Sequence, residues 1–149
     1  MRNFIFGAED SLVSTMGVLF GIASAGEFTQ QQIFLAGLIT IVVEATSMGA
    51  GSFLSESSAK EIDGRTKMAP VADGIIMLFA YFFAGFIPLT PYLIFSVTTG
   101  KYISVIASLL SLFILGFLPT KRLRSGLKMA IVAGVAASIG FIVAHIFSL

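Results

Sequence analysis

The sequence predicts an all-α integral membrane protein of five transmembrane helices, and three observations carry that prediction. Hydrophobic residues make up 56% of the 149 positions and charged residues only 11%, about half the charge a soluble domain carries. The mean hydropathy is +0.98, and the apolar residues come in long blocks instead of helix-period stripes, which is the pattern of helices solvated by lipid. The basic residues, finally, fall almost entirely into alternate loops between those blocks.

The first helix is expected over 4–25. Its apolar stretch from Leu12 to Ala25 is short, but Phe4-Ile5-Phe6 extend it to about 22 residues, or about 33 Å, enough to span a bilayer. That extension places Asp10 inside the helix. Ala23-Ser24-Ala25 looks like a signal-peptide cleavage site, yet Glu9 and Asp10 lie between Arg2 and the apolar run, where secretory signals rarely carry acids. The second helix is expected over 33–57, followed by a short polar loop, 58–69, too small to fold alone. The third runs over 71–93, with Pro88 and Pro91 kinking or ending it. The fourth covers 102–118 and is closed by Pro119; the fifth covers 127–148.

Five spans put the termini on opposite sides, and the basic residues choose between the two orientations. Arg2, Lys60, Arg65, Lys67, Lys121, Arg122, Arg124 and Lys128 share the N-terminal side, against Lys101 alone on the other. The N-terminus is therefore expected in the cytoplasm. A missed span would scramble this partition.

Several function classes fall away on composition. With no cysteine and one histidine, neither a thiolate zinc site, an iron–sulfur cluster nor a His-cluster metal site can be assembled. No Ser–His or Cys–His pair supports nucleophilic catalysis, and no glycine-rich phosphate loop is present, so an enzyme is not expected. Neither a resident cofactor nor a nucleic-acid partner is indicated.

The informative residues are the ionisable ones inside apolar spans, which are costly there and are by default functional candidates. Asp10 shares a helix face with Ser14, Gly17 and Gly21, and Gly17–Gly21 is a small-xxx-small pair that permits close helix approach. Two readings fit Asp10: a carboxylate on a polar helix seam, or an interfacial cap of helix one. Glu44 lies eleven residues past Ile33, too deep to reach water, with Thr40, Ser47, Met48, Gly51 and Ser55 on its side of helix two. A carboxylate and a thioether four residues apart share a face, and oxygen with sulfur suits a first-row divalent ion better than calcium or magnesium. The alternative is a Glu44 hydrogen-bonded to a neighbouring helix with Met48 as packing. His145 reads as interfacial. Glu9, Glu56 and Asp73 are candidate cytoplasmic metal contacts, although Glu56, Glu61 and Asp63 alternate with Lys60, Arg65 and Lys67 as a self-neutralising loop would.

Four segments bear a family resemblance. Gly7-Ala8-Glu9-Asp10-Ser11-Leu12-Val13-Ser14-Thr15 resembles the helix-one signature of the vacuolar iron transporter family, and Ser47-Met48-Gly49-Ala50-Gly51-Ser52-Phe53-Leu54-Ser55 resembles its helix-two signature. Gly85-Phe86-Ile87-Pro88-Leu89-Thr90-Pro91-Tyr92 is similar to its helix-three ending, and Arg124-Ser125-Gly126-Leu127-Lys128-Met129 to the start of its helix five. The matches occur in family order along nearly the whole chain.

The resemblance implies a homodimer that moves iron(II), and often manganese, out of the cytosol in exchange for protons, with Asp10 and Met48 lining the pathway. Three departures stand out: Ser11 replaces a usual glycine, and Thr40 stands where better-known members carry the helix-two carboxylate, with Glu44 one turn nearer Met48. The glutamate-rich cytoplasmic domain of those members shrinks here to about fifteen residues. The expected function is thus proton-coupled export of divalent transition metal through Asp10, Glu44, Met48, Ser14 and Thr40, with Gly17 and Gly21 as the packing and dimer seam. A non-transporting membrane scaffold and a passive cation channel are the alternatives. Lipids, divalent ions and a second copy are the expected partners, and a prokaryotic inner membrane the expected location.

Overall fold

The computed structural model describes residues 1–63 and 69–147, and all of its regular structure there is helical. Helix α1 spans Arg2–Ala25, α2 Gln30–Asp63, α3 Pro70–Leu89, α4 Pro91–Ile94, α5 Val97–Thr120 and α6 Leu123–Phe147. Five spans are long and apolar enough to cross a membrane, the short α4 continuing α3 as one of them.

Each boundary has a local cause. Gly26 ends α1 in the left-handed region at φ 80°, a conformation glycine adopts without penalty. Thr29 then opens α2 with a capping box: Gln32 N donates to Thr29 Oγ1 at 3.3 Å and Thr29 N to Gln32 Oε1 at 2.9 Å. The α3–α4 break follows from Pro88 and Pro91, which remove two backbone donors. Ser104 of α5 donates to the freed Pro88 carbonyl at 2.7 Å, so the break is satisfied by a neighbouring helix and not by water, as a bilayer interior requires.

Several helices outrun their expected limits. Helix α2 continues six residues past 57, so 58–63 of the expected loop is helical; the Ser58-Ala59-Lys60-Glu61 run, exposed except for a part-buried Ala59, is compatible with helix. At 34 residues it is about 50 Å long, against about 30 Å of hydrocarbon. Helix α5 begins at Val97, not 102, and α6 at Leu123, not 127, because polar first turns are helical too. Pro119 does not close α5 but lies in its last turn; Lys121, left-handed at φ 55°, ends it. Arg65 and Lys67 of the loop, and residue 148 of the expected last helix, lie outside the described residues.

Helix α1 is the centre of the bundle. One buried cluster joins its Ala8, Leu12 and Met16 to Ala84, Leu112, Ala133 and Ala137. The second joins Leu19 and Ala23 to Ile33, Ile41, Leu89 and Tyr92. Helix α5 shows how lipid inverts the usual pattern: it buries Gly100, Ser104, Ser108, Leu112 and Gly116, while Ile106, Leu110, Ile114 and Leu118 face outward. Small and hydroxylated residues on the inner face let helices approach where apolar burial supplies little driving force.

Candidate functional site

Three helices converge on one carboxylate. Ser14 of α1 donates from Oγ to Glu44 Oε2 of α2 at 2.9 Å, and the Tyr81 hydroxyl of α3 donates to the same oxygen. Ser14 Oγ and the Tyr81 hydroxyl are themselves 2.5 Å apart. Tyr81 is fully buried, and Ser11, one turn before Thr15 on α1, anchors its backbone by donating to the Tyr81 carbonyl at 2.7 Å. Gly85, one turn on, lets α2 and α3 close: a Cβ there would lie 2.6 Å from Ile41 Cγ1 and 2.9 Å from Ser11 Oγ.

The cluster is deep. One end of the bundle is marked by Asn3, Glu56 and Asp73, and Ser14, Glu44 and Tyr81 lie eleven, twelve and eight residues inward from these. At 1.5 Å per residue that is about 12–18 Å, the middle of a bilayer. A carboxylate at that depth survives only with partners, and here hydroxyls hold one oxygen. Glu44 Oε1 accepts no hydrogen bond from the described residues.

About one helical turn from Glu44 begins a cleft of about 600 Å³ that extends toward that end, lined by Ser47, Met48, Ser52 and Ser55 of α2 and by Met77 of α3, among others. Met48, half-buried, therefore borders open space. The Met77 sulfur sits against Gly7, where a Cβ would come within 2.9 Å of it. An ion pair, Arg2 Nη2 to Glu56 Oε1 at 2.7 Å, lies at the cleft's rim. Beside it, Asn3 Nδ2 donates to buried Asp73 Oδ1 at 2.6 Å.

A second groove of about 650 Å³ opens between α1 and α6, lined by Ser14, Gly17 and Gly21 on one side and by Ala136, Gly140 and Ala144 on the other. Here the backbones nearly touch: a Cβ on Gly21 would lie 3.0 Å from the Gly140 carbonyl oxygen. Gly17 and Gly21 thus pack α1 on α6 of the same chain.

The structure joins Ser14 with Glu44 and sets Met48 in the adjoining cleft. Asp10 is half-buried one turn from Ser14 and, like Glu9, makes no hydrogen bond or ion pair among the described residues. Thr40 lies one turn beyond Glu44, outside the hydrogen-bonded cluster. His145 stacks on Phe141 at 6.0 Å on the outer surface of α6, far from the cluster in sequence and space. Tyr81 is the residue that sequence reasoning missed. Its signal was there: a tyrosine in mid-span, away from either interface, must find a partner for its hydroxyl.

Comparison with known proteins gives the family of the chain. The VIT family profile matches residues 1–67 and, again, 60–145. Vacuolar iron transporter homolog 4 of Oryza sativa subsp. japonica is 36% identical over 55 residues, which is 37% of this chain and 26% of the rice protein. The match thus spans about a quarter of that relative's length.

Proposed function

We propose, from the premise that the chain belongs to the VIT family, that it carries a divalent transition metal ion across a membrane, iron(II) foremost and manganese as well. The observation that carries this reading is the Ser14–Tyr81–Glu44 cluster at mid-depth, one helical turn from a cleft bordered by Met48. A carboxylate with one free oxygen, hydroxyls that donate or accept, and thioethers one turn away form a donor set for a borderline first-row ion.

In this reading Glu44 and Asp10 bind the ion and take up protons when it leaves, so metal and proton compete for the same groups. Met48 favours iron(II) over magnesium. Export from the cytosol follows if the basic loops fix the N-terminal end inside. Among the described residues no three His, Asp or Glu side chains are grouped as metal ligands, so in this reading one protomer offers two acids, Asp10 and Glu44, beside neutral donors. A homodimer would bring a second Asp10 and Glu44, and the outward-facing Ser47 and Gly51 of α2 leave room for it.

The test is flux in sealed liposomes under an imposed pH gradient, with iron(II), manganese and magnesium offered separately. Iron or manganese uptake with proton counterflow is expected, lost in Asp10→Asn and Glu44→Gln. Unchanged flux in both variants would remove these carboxylates from the mechanism. Metal flux without proton counterflow would make the protein a channel.

A further inference from the structure

We infer that Glu56 is a receiving site for a divalent cation at the mouth of the cleft, and that the Arg2 guanidinium is its tethered stand-in, displaced when the cation arrives. The inference rests on the transport reading above and adds a step to it.

Glu44, Met48, Ser52 and Glu56 follow one another every four residues on α2. Residues so spaced form a continuous ridge inclined to the helix axis, here about 18 Å in rise. The ridge reads carboxylate, thioether, hydroxyl, carboxylate. Its inner end is the hydrogen-bonded cluster, its middle lines the cleft, and its outer end meets Arg2. An ion moving along the cleft thus finds an oxygen or sulfur donor at each turn of α2.

A cation already sits on the outermost donor. Arg2 Nη2 lies 2.7 Å from Glu56 Oε1, but the two partners are unequally placed: the arginine side chain is 82% exposed and the glutamate 23%. An exposed arginine arm pairs weakly, because water and salt replace its partner readily. Glu56, by contrast, is mostly enclosed, as part of the cleft wall. The guanidinium has a second tether: Arg2 Nε donates to Asn3 Oδ1 at 3.3 Å, and Asn3 donates onward to Asp73 of α3. Arg2 can therefore leave Glu56 without leaving the mouth. A dication outcompetes a monovalent guanidinium for one carboxylate, whereas a monovalent ion gains nothing over it, so the arm screens by charge.

The experiment measures Mn2+ binding to the full-length purified protein at low ionic strength, by loss of the free Mn2+ paramagnetic resonance signal. An Asp10→Asn, Glu44→Gln background silences the two inner carboxylates. Arg2→Gln is expected to tighten binding at least threefold, Glu56→Gln to abolish the site, and Arg2→Gln added to Glu56→Gln to change nothing. Arg124→Gln, which removes the same charge elsewhere, should leave binding unchanged. The inference is overturned if Arg2→Gln leaves binding unchanged or weakens it, if its tightening survives loss of Glu56, or if Arg124→Gln tightens equally. Liposome flux of the wild type is measured alongside: this binding pattern without flux would sink the transport reading and leave the Glu56 site standing.

Discussion

Replacing Gly140 by alanine tests the packing that sets α1 against α6. A Cβ on Gly140 would overlap the carbonyl oxygen of Gly17 and lie 3.2 Å from its carbonyl carbon. Both obstacles are backbone, so no side chain can swing away and the helices themselves must part. Restoring ordinary contact near 3.5 Å requires a shift of roughly 1 Å. Overpacking of that kind costs about 1–3 kcal/mol, or roughly 3–10 °C in melting temperature for a chain of this size. Gly134, six residues earlier on the same helix, is different: a Cβ there would meet nothing within 4 Å. Gly134→Ala should therefore be neutral or stabilising by up to about 1 kcal/mol, the helix-propensity difference alone. Far-ultraviolet circular dichroism during heating in mild detergent reads both variants; with no tryptophan in the chain, the usual fluorescence melt is not an option. Equal melting of Gly140→Ala and wild type would refute the close α1–α6 contact. A loss of stability in Gly134→Ala would show that another surface covers that face.

Two further variants separate the site from the scaffold. Tyr81→Phe removes the hydroxyl that ties Glu44 to Ser14; a hydrogen bond to a charged group is worth about 1.5–3 kcal/mol, so metal flux should fall roughly tenfold or more while helicity is retained, and wild-type flux would deny Tyr81 any part in the pathway. Ser104→Ala leaves the Pro88 carbonyl without its 2.7 Å donor; an unsatisfied buried acceptor costs about 1–3 kcal/mol, so the melting temperature should drop while flux per folded protein holds, and a drop in flux without a drop in stability would tie the α3–α4 break to transport.

What could be read from the sequence follows the physics of each signal. The five spans were legible because twenty-odd apolar residues have no other stable home. Helix ends were less so: hydropathy marks where lipid begins, whereas α2 and α5 are helical through the turns at 58–61 and 97–100, which hydropathy leaves out. Glu44 stood out as a mid-span acid, and Ser14 as a neighbour on the face of Asp10. Their meeting did not, because hydrogen bonds between α1, α2 and α3 depend on helix rotation, which no spacing within one helix reveals. Tyr81 hid among the phenylalanines of α3. Gly17 and Gly21 were legible as a small-residue pair, but the surface they meet within the chain, Gly140 on α6, could come only from the fold.

The position of Glu44 is explained by the residues around it. The family resemblance puts a carboxylate at the place of Thr40, one turn farther from Met48. Four residues along a helix is about 6 Å, twice the length of a hydrogen bond. In this packing a carboxylate at 40 could not accept from Ser14 and Tyr81, whose hydroxyls converge on the Glu44 carboxylate. Moving the acid one turn places it where two donors already converge, and sets carboxylate and thioether on adjacent steps of one ridge. Partners on α1 and α3 thus make position 44 tolerable for an acid in mid-membrane, whereas Thr40 brings no carboxylate that would need them. The carboxylate and its two hydroxyls are therefore one unit spread over three helices, and a change to any of them should be felt at the other two.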